Sequence, residues 1–127
     1  MSKSVVYSQH APEPIGPYSQ AILNGNTLFM SGQIAIDRNT GNLITENIEA
    51  ETRQVMYNLK EVLKAAEMDF NNVVKCSIFL KDMNTFPKVN AIYGEYFQFT
   101  PPARETVEVS RLPKDVNVEI SCIAVKV

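Results

Sequence analysis

Tryptophan is absent from this 127-residue chain, histidine occurs once and cysteine twice. The lone histidine, His10, sits in a polar N-terminal stretch and reads as a solvated loop residue. A Ser-His-Asp triad or a multi-histidine metal site has little to work with. Cys76 and Cys122 lie in apolar segments with no cysteine or histidine at metal-ligand spacing, so they read as reduced, buried small hydrophobes. No apolar run reaches the length of a membrane span. The start, "MSKSVVYSQHAPEPIGPYSQ", has neither the apolar centre of a secretory signal nor the arginine-rich character of a transit peptide. The cytoplasm is the expected compartment, without a membrane partner. Twelve basic residues against fourteen acidic ones give a net charge of −2, which lacks the basic footprint of a nucleic-acid binder. "GNTLFMSG" does not have the pattern of a phosphate loop.

What remains is an ordinary globular composition, 45% hydrophobic and 20% charged, long enough for one domain over 1–127 with a substantial core. "YSQAILNGNTLFMSG" predicts two strands around Asn24-Gly25-Asn26, a tight-hairpin turn. "IAIDRNTGNLITEN" predicts a second excursion turning at Asn39-Thr40-Gly41. Ile48, Thr52, Val55, Met56, Leu59, Val62, Leu63 and Ala66 recur at helical spacing behind Asn47, a capping residue. Glu49 and Glu51 suit the start of that helix, and Lys60 and Lys64 its end. "EAETR" and "EMD" read as a solvated carboxylate-rich surface.

"NVVKCSIFLKD" predicts a strand with Val74, Cys76, Ile78 and Leu80 on one face. A second helix is expected near Thr85, with Pro87 in its first turn and a stripe of Phe86, Val89, Tyr93 and Phe97. Two strands close the chain, "RETVEVS" and "VNVEISCIAVKV", as a hairpin through Leu112-Pro113-Lys114-Asp115. The order predicts an α+β fold, with two helices on one face of a largely antiparallel sheet.

The last strand puts Val118, Ile120, Cys122 and Ala124 on one face, suited to packing under helices. Its other face carries Glu119, Ser121, Ile123, Val125 and Val127, polar at the start and apolar at the end. Phe29 beside Thr27 and Ser31, and Phe79 beside Lys75 and Ser77, repeat the mixture. Two helices cover one side only, so the uncovered apolar positions predict a homo-oligomer whose sheets face each other. Scattered surface hydrophobes on a monomer are the alternative.

The charges with a candidate role lie in "TPPARETVEVSRLP". Pro101 and Pro102 stiffen the approach to Arg104. Alternation puts Arg104, Thr106, Glu108 and Ser110 on one face. If Val107 and Val109 face the helices, Arg104 shares the mixed face with Glu119. Two readings stand open: an ion pair across strands or subunits, or an arginine that binds a carboxylate near a glutamate that acts on water. In "PIGPYSQA", Gly16 between prolines makes a turn that presents Tyr18, half core residue and half hydrogen-bond donor.

Taken in order, "PIGPYSQA", "SGQI", "VKCSIFLKDM", "PPARETVEV" and "RLPKDVNVEISCIAV" resemble the RidA (reactive intermediate deaminase, or YjgF) family nearly end to end. The resemblance implies a chorismate-mutase-like fold, a homotrimer packed around a central barrel-like core, and ligand clefts between subunits. It implies hydrolysis of reactive 2-imino acids, tautomers of 2-aminoacrylate and 2-aminocrotonate, to 2-oxo acids and ammonia, with no metal or cofactor. By motif, Arg104 corresponds to the carboxylate-binding arginine and Glu119 to the glutamate associated with the attacking water. Tyr18, Ser31 and Gly32 match pocket-lining positions, and Asn90 in "KVNAIY" matches another. Archetypal members often carry cysteine two residues beyond the arginine, where this chain has Thr106. Threonine lacks a base for nucleophilic work here but can serve through its backbone N–H and bulk. A non-catalytic module that binds 2-oxo acids is the rival reading, and a ribonuclease or translation inhibitor is a third.

Overall fold

The computed structural model describes residues 3–127. Six strands and two helices follow one another as β1 (Lys3–Val6), β2 (Ala21–Asn24), β3 (Thr27–Gln33), α1 (Ile48–Ala65), β4 (Val73–Leu80), α2 (Phe86–Gly94), β5 (Ala103–Glu108) and β6 (Val118–Val125). The β2–β3 hairpin turns where the sequence asks for it: Asn24 pairs with Thr27, and Gly25 supplies the left-handed backbone at φ 62°. Helix α1 is capped by Asn47, whose side chain accepts from Ala50 N at 2.7 Å. Pro87 lies in the first turn of α2. The segment between β3 and α1 holds only an isolated bridge, Ile36 with Leu43, in place of a second full hairpin.

All six strands form one sheet in the order β1-β2-β3-β6-β4-β5. Four pairings are antiparallel, and β4 with β5 is parallel, so the sheet is mixed. The expected closing hairpin does not form. Strand β5 pairs along β4, and β6 returns past it to lie between β3 and β4. Helix α1 links β3 to β4, and α2 links β4 to β5. These two crossovers step the same way across the sheet, so a single hand puts both helices on one face.

That face is the core. Leu28, Met30, Cys76, Ile78, Leu80, Val118 and Ile120 meet Val55, Met56, Leu59, Leu63, Val89 and Tyr93 in one cluster. A register irregularity between Val73 and Lys75 sends Val73 inward and leaves Val74 exposed, correcting the expected inward face by one residue. Glu51 is also unlike its expected place on a solvated surface. It is fully buried and accepts from Asn117 N and Asn117 Nδ2, each at 2.7 Å, so its charge is met by the chain entering β6. Among the described residues no helix covers the opposite face of the sheet, which carries Val5, Phe29, Val107 and part of Ile123. Among the described residues no helix is long and apolar enough to cross a membrane.

Candidate active site

The chain gathers the expected site residues into two groups and keeps the groups apart. The first group forms where β3 ends beside the start of β6. Met30 pairs with Cys122 and Gln33 with Ile120, so Ser31 and Gly32 together oppose a single residue of β6. This is a bulge, and it re-aims the backbone at the rim of the sheet. Ser31 is pinned there from both ends: its N–H donates to Gln20 O at 2.9 Å and its hydroxyl to Ser19 O at 2.6 Å. Gly32 lies against the side chain of Glu119, close enough that a Cβ at residue 32 would overlap the carboxylate.

Glu119 and Gly32 line a cavity of about 370 Å³ together with Tyr18, Ser31, Ile15 and Ile34. Its far wall is the loop before β2, held by a residue the sequence reading passed over. The buried Gln20 accepts from Ser8 N at 2.6 Å and donates to Ser8 O at 3.0 Å and to Pro12 O at 2.9 Å. A glutamine straight after an exposed turn carries no apolar signal, although its place in "PYSQA" marks it. Tyr18 is half-exposed and belongs to the cavity rather than to the core. Burial pushes the Glu119 carboxyl above the ordinary carboxylate range. A carboxylate so placed can take a proton from water near neutral pH more readily than a solvated one.

The second group lies along the edge strand. Arg104 pairs in register with Cys76, and Thr106 with Ile78, so both face the helix side of the sheet. Val107 pairs with Phe79 and faces the open side, where it is 40% exposed. Val107 therefore does not face the helices, and Arg104 and Glu119 lie on opposite faces. Within one chain they are also two strand spacings apart, about 10 Å, and displaced along the strands by three residues, about another 10 Å. No ion pair joins them.

Arg104 is nonetheless held. Its Nη1 donates to Asn90 Oδ1 at 2.8 Å. Its guanidinium lies over the rings of Phe86 and Tyr93, with centroids at 5.4 and 5.0 Å. Both aromatics entered the sequence reading only as core stripe; their spacing on α2 marked them as buried without showing that Arg104 would stack on them. Among the described residues no carboxylate lies within 4 Å of Arg104, which leaves the rest of its planar fork for an anion from outside. Two buried hydroxyls without a hydrogen-bond partner, those of Tyr93 and Thr106, belong to the same group. Among the described residues no cluster of three or more metal-ligating side chains occurs.

The chain matches the family model described as "Endoribonuclease L-PSP" over residues 8–126. It is 54% identical to a RutC family protein of Pyrococcus horikoshii, across 98% of each chain. It is 46% identical to the 2-iminobutanoate/2-iminopropanoate deaminase of Mus musculus, across 98% of this chain and 92% of that one. Its fold matches the crystal structure of the YjgF gene product of E. coli with a TM-score of 0.93 at 41% identity, covering 98% and 99% of the two chains. These matches make the chain a member of the endoribonuclease L-PSP family, the RidA/YjgF family its motifs resemble.

Proposed function

We propose that the protein hydrolyses reactive 2-imino acids to 2-oxo acids and ammonia, in clefts completed by two copies of the chain in a homotrimer. The observation that carries this reading is Arg104: a braced guanidinium on an edge strand, stacked on two rings, with no carboxylate of the described residues within 4 Å. Such a group suits a small substrate carboxylate, which it can meet with parallel charge-assisted hydrogen bonds. The name carried by the Mus musculus relative supports the same chemistry. The two-copy cleft is supported by the position of the halves on opposite faces and by the apolar residues left on the open face, Val5, Phe29 and Val107.

Arg104 binds the carboxylate of the protonated imine and turns its C=N carbon toward a water held by Glu119 of a neighbouring copy. Glu119 takes a proton as the water oxygen bonds to that carbon, and the C=N π electrons move to nitrogen. The proton passes to the amine nitrogen; as the C–N bond breaks, the hydroxyl oxygen forms the C=O bond and gives up its proton through Glu119 to the departing ammonia, leaving a 2-oxo acid and ammonium. Imines of this kind hydrolyse readily in water, so orientation and a single proton relay suffice. Tyr18, Ser31 and Gly32 shape the water side of the cleft; Asn90 and Thr106 shape the carboxylate side.

The test is competition with a chemical trap. A dehydratase acting on serine generates 2-aminoacrylate, and semicarbazide captures the imine. Wild-type protein should suppress capture, while Arg104→Ala and Glu119→Gln should each lose at least about a hundredfold in that suppression. Mixing the two variants under conditions that exchange subunits should restore activity, because some clefts then hold an intact arginine and an intact glutamate. Failure of the wild type to suppress capture, with 2-oxobutanoate binding still dependent on Arg104, would replace catalysis with carboxylate binding alone.

A further inference from the structure

Cys76 and Cys122, 46 residues apart in sequence, are direct cross-strand partners on the helix-covered face of β4 and β6, with their sulfurs 3.2 Å apart. Both are buried free thiols. Their row runs on across the sheet, since Cys122 faces Met30 on β3 and Cys76 faces Arg104 on β5. Cys76 therefore lies one strand from the guanidinium proposed to bind the substrate carboxylate, near the Tyr93 side chain on which that guanidinium stacks.

We propose that Cys76 and Cys122 are a modification site, which a peroxide converts to an intramolecular disulfide that weakens carboxylate binding at Arg104. The second part rests on the role given to Arg104 above; the first stands without it. Directly opposed residues of an antiparallel pair have Cα atoms about 4.5–5.5 Å apart, within the span that disulfides bridge. Bonding brings the sulfurs to about 2.05 Å, a closure that side-chain rotation supplies without moving a strand.

The two thiols are also unequal. A hydrogen bond from Cys122 holds the Cys76 thiol below its ordinary range, aided by the charge of Arg104, while the same bond pushes Cys122 upward. Cys76 is accordingly the attacking sulfur. Its thiolate displaces one oxygen of hydrogen peroxide, breaking the O–O bond and leaving a sulfenic acid and one water. Cys122 then attacks the Cys76 sulfur; the S–O bond breaks, the Cys122 proton is lost, and a second water departs. Two thiols and one peroxide become one disulfide and two waters, with the two sulfur electrons reducing the peroxide. Access comes by local opening at the sheet edge, where β5 is mostly exposed. Once bonded, the Cys76 sulfur turns toward β6 and away from the Tyr93–Arg104 stack.

The experiment treats the reduced, intact protein with hydrogen peroxide, alkylates residual thiols after denaturation, and reads the intact mass and the non-reduced peptides. Both thiols should disappear together, with a loss of about two mass units, a linked Cys76–Cys122 peptide and full reversal by a phosphine reductant. Affinity for 2-oxobutanoate should fall severalfold in the oxidised protein and return on reduction. Cys122→Ala should instead add oxygen at Cys76. Persistence of both thiols, oxygen added to wild-type sulfur, or cross-links between chains would overturn the site. Equal affinity in the fully disulfide form would overturn its effect on Arg104. Absence of 2-oxobutanoate binding by the reduced protein would instead strike the proposed function, and the mass measurement would still decide the disulfide.

Discussion

The two halves of the proposed site are built by opposite means. Arg104 stands on an edge strand whose residues are mostly exposed, steadied by a face of aromatic rings and one amide oxygen. Glu119 stands on β6, the third strand in from one edge, pressed against a bulge glycine whose Cβ would overlap its carboxylate. A group that must capture a charged ligand gains from reach and from donors left free. A group that must manage a proton gains from a drier, tightly defined place. The first half should then be separable from the stability of the fold, and the second should not.

The sharpest contrast comes from setting Gly32→Ala beside Arg104→Ala. The added methyl collides with the Glu119 side chain, whose Cγ would lie 3.0 Å from the new carbon, so either the carboxylate leaves its place or the bulge shifts. Turnover should fall about a hundredfold, with a stability loss of about 1–3 kcal/mol, as for other overpacked sites. Arg104→Ala should lose at least as much turnover with less than about 0.5 kcal/mol of stability, because its side chain is exposed and packs on one face only. Steady-state kinetics and denaturant unfolding of the two variants decide this. Equal stability losses would erase the contrast between the halves.

A smaller effect sharpens the arginine half. Asn90 touches the guanidinium through one hydrogen bond of 2.8 Å, worth about 0.5–1.5 kcal/mol net and more where the partner is charged. Asn90→Ala should raise KM about threefold to tenfold, matching that energy, and leave kcat nearly unchanged. A fall in kcat at constant KM would mean that Asn90 acts on the reacting carbon instead of steadying Arg104.

The same contrast explains what could be read in advance. Elements with one wet face and one dry face announced themselves: the α1 stripe from Ile48 to Ala66, the Asn47 cap and the hairpin at Gly25 all stand where the pattern put them. Strand β5 did not, because five of its six residues are exposed and alternation carries no inside or outside when both faces are open. Val107 drew the eye inward, yet it faces the uncovered side and Arg104 faces α2. The β4–β5 parallel pairing was hidden for a related reason. Adjacent strands with a short turn read as a hairpin, and the preference of β5 for β4 depends on the α2 crossover, a long-range term. Glu51 was misplaced because the donors that satisfy it, from Asn117 and Val118, lie 66 and 67 residues away. The proposed site residues stood out as motif positions; their division between two faces did not.

The smallest expected effect concerns the glutamate half alone. A carboxyl whose pKa is raised in the folded state binds its proton more tightly folded than unfolded. Its contribution to stability is present at low pH and is lost as pH rises through the raised value. Glu119 is such a group, raised by burial. At neutral pH it is ionised at a cost, which Glu119→Gln removes. The variant should be the more stable by less than about 1 kcal/mol near pH 7, a modest figure because the side chain is only half-buried. The advantage should shrink as pH falls and vanish once the carboxyl is protonated in both folded and unfolded states, since glutamine and a neutral carboxyl then differ little. On the proposed mechanism the same ionisation sets the acid limb of kcat/KM, which should fall away with decreasing pH at a higher value than a solvated glutamate would give. Thermal unfolding of the pair across pH 4–7 reads the first consequence and the wild-type pH–rate profile reads the second. A stability gap that stays constant across this range would mean that Glu119 is as well solvated as any surface carboxylate, and that the bulge holds it in position without drying it.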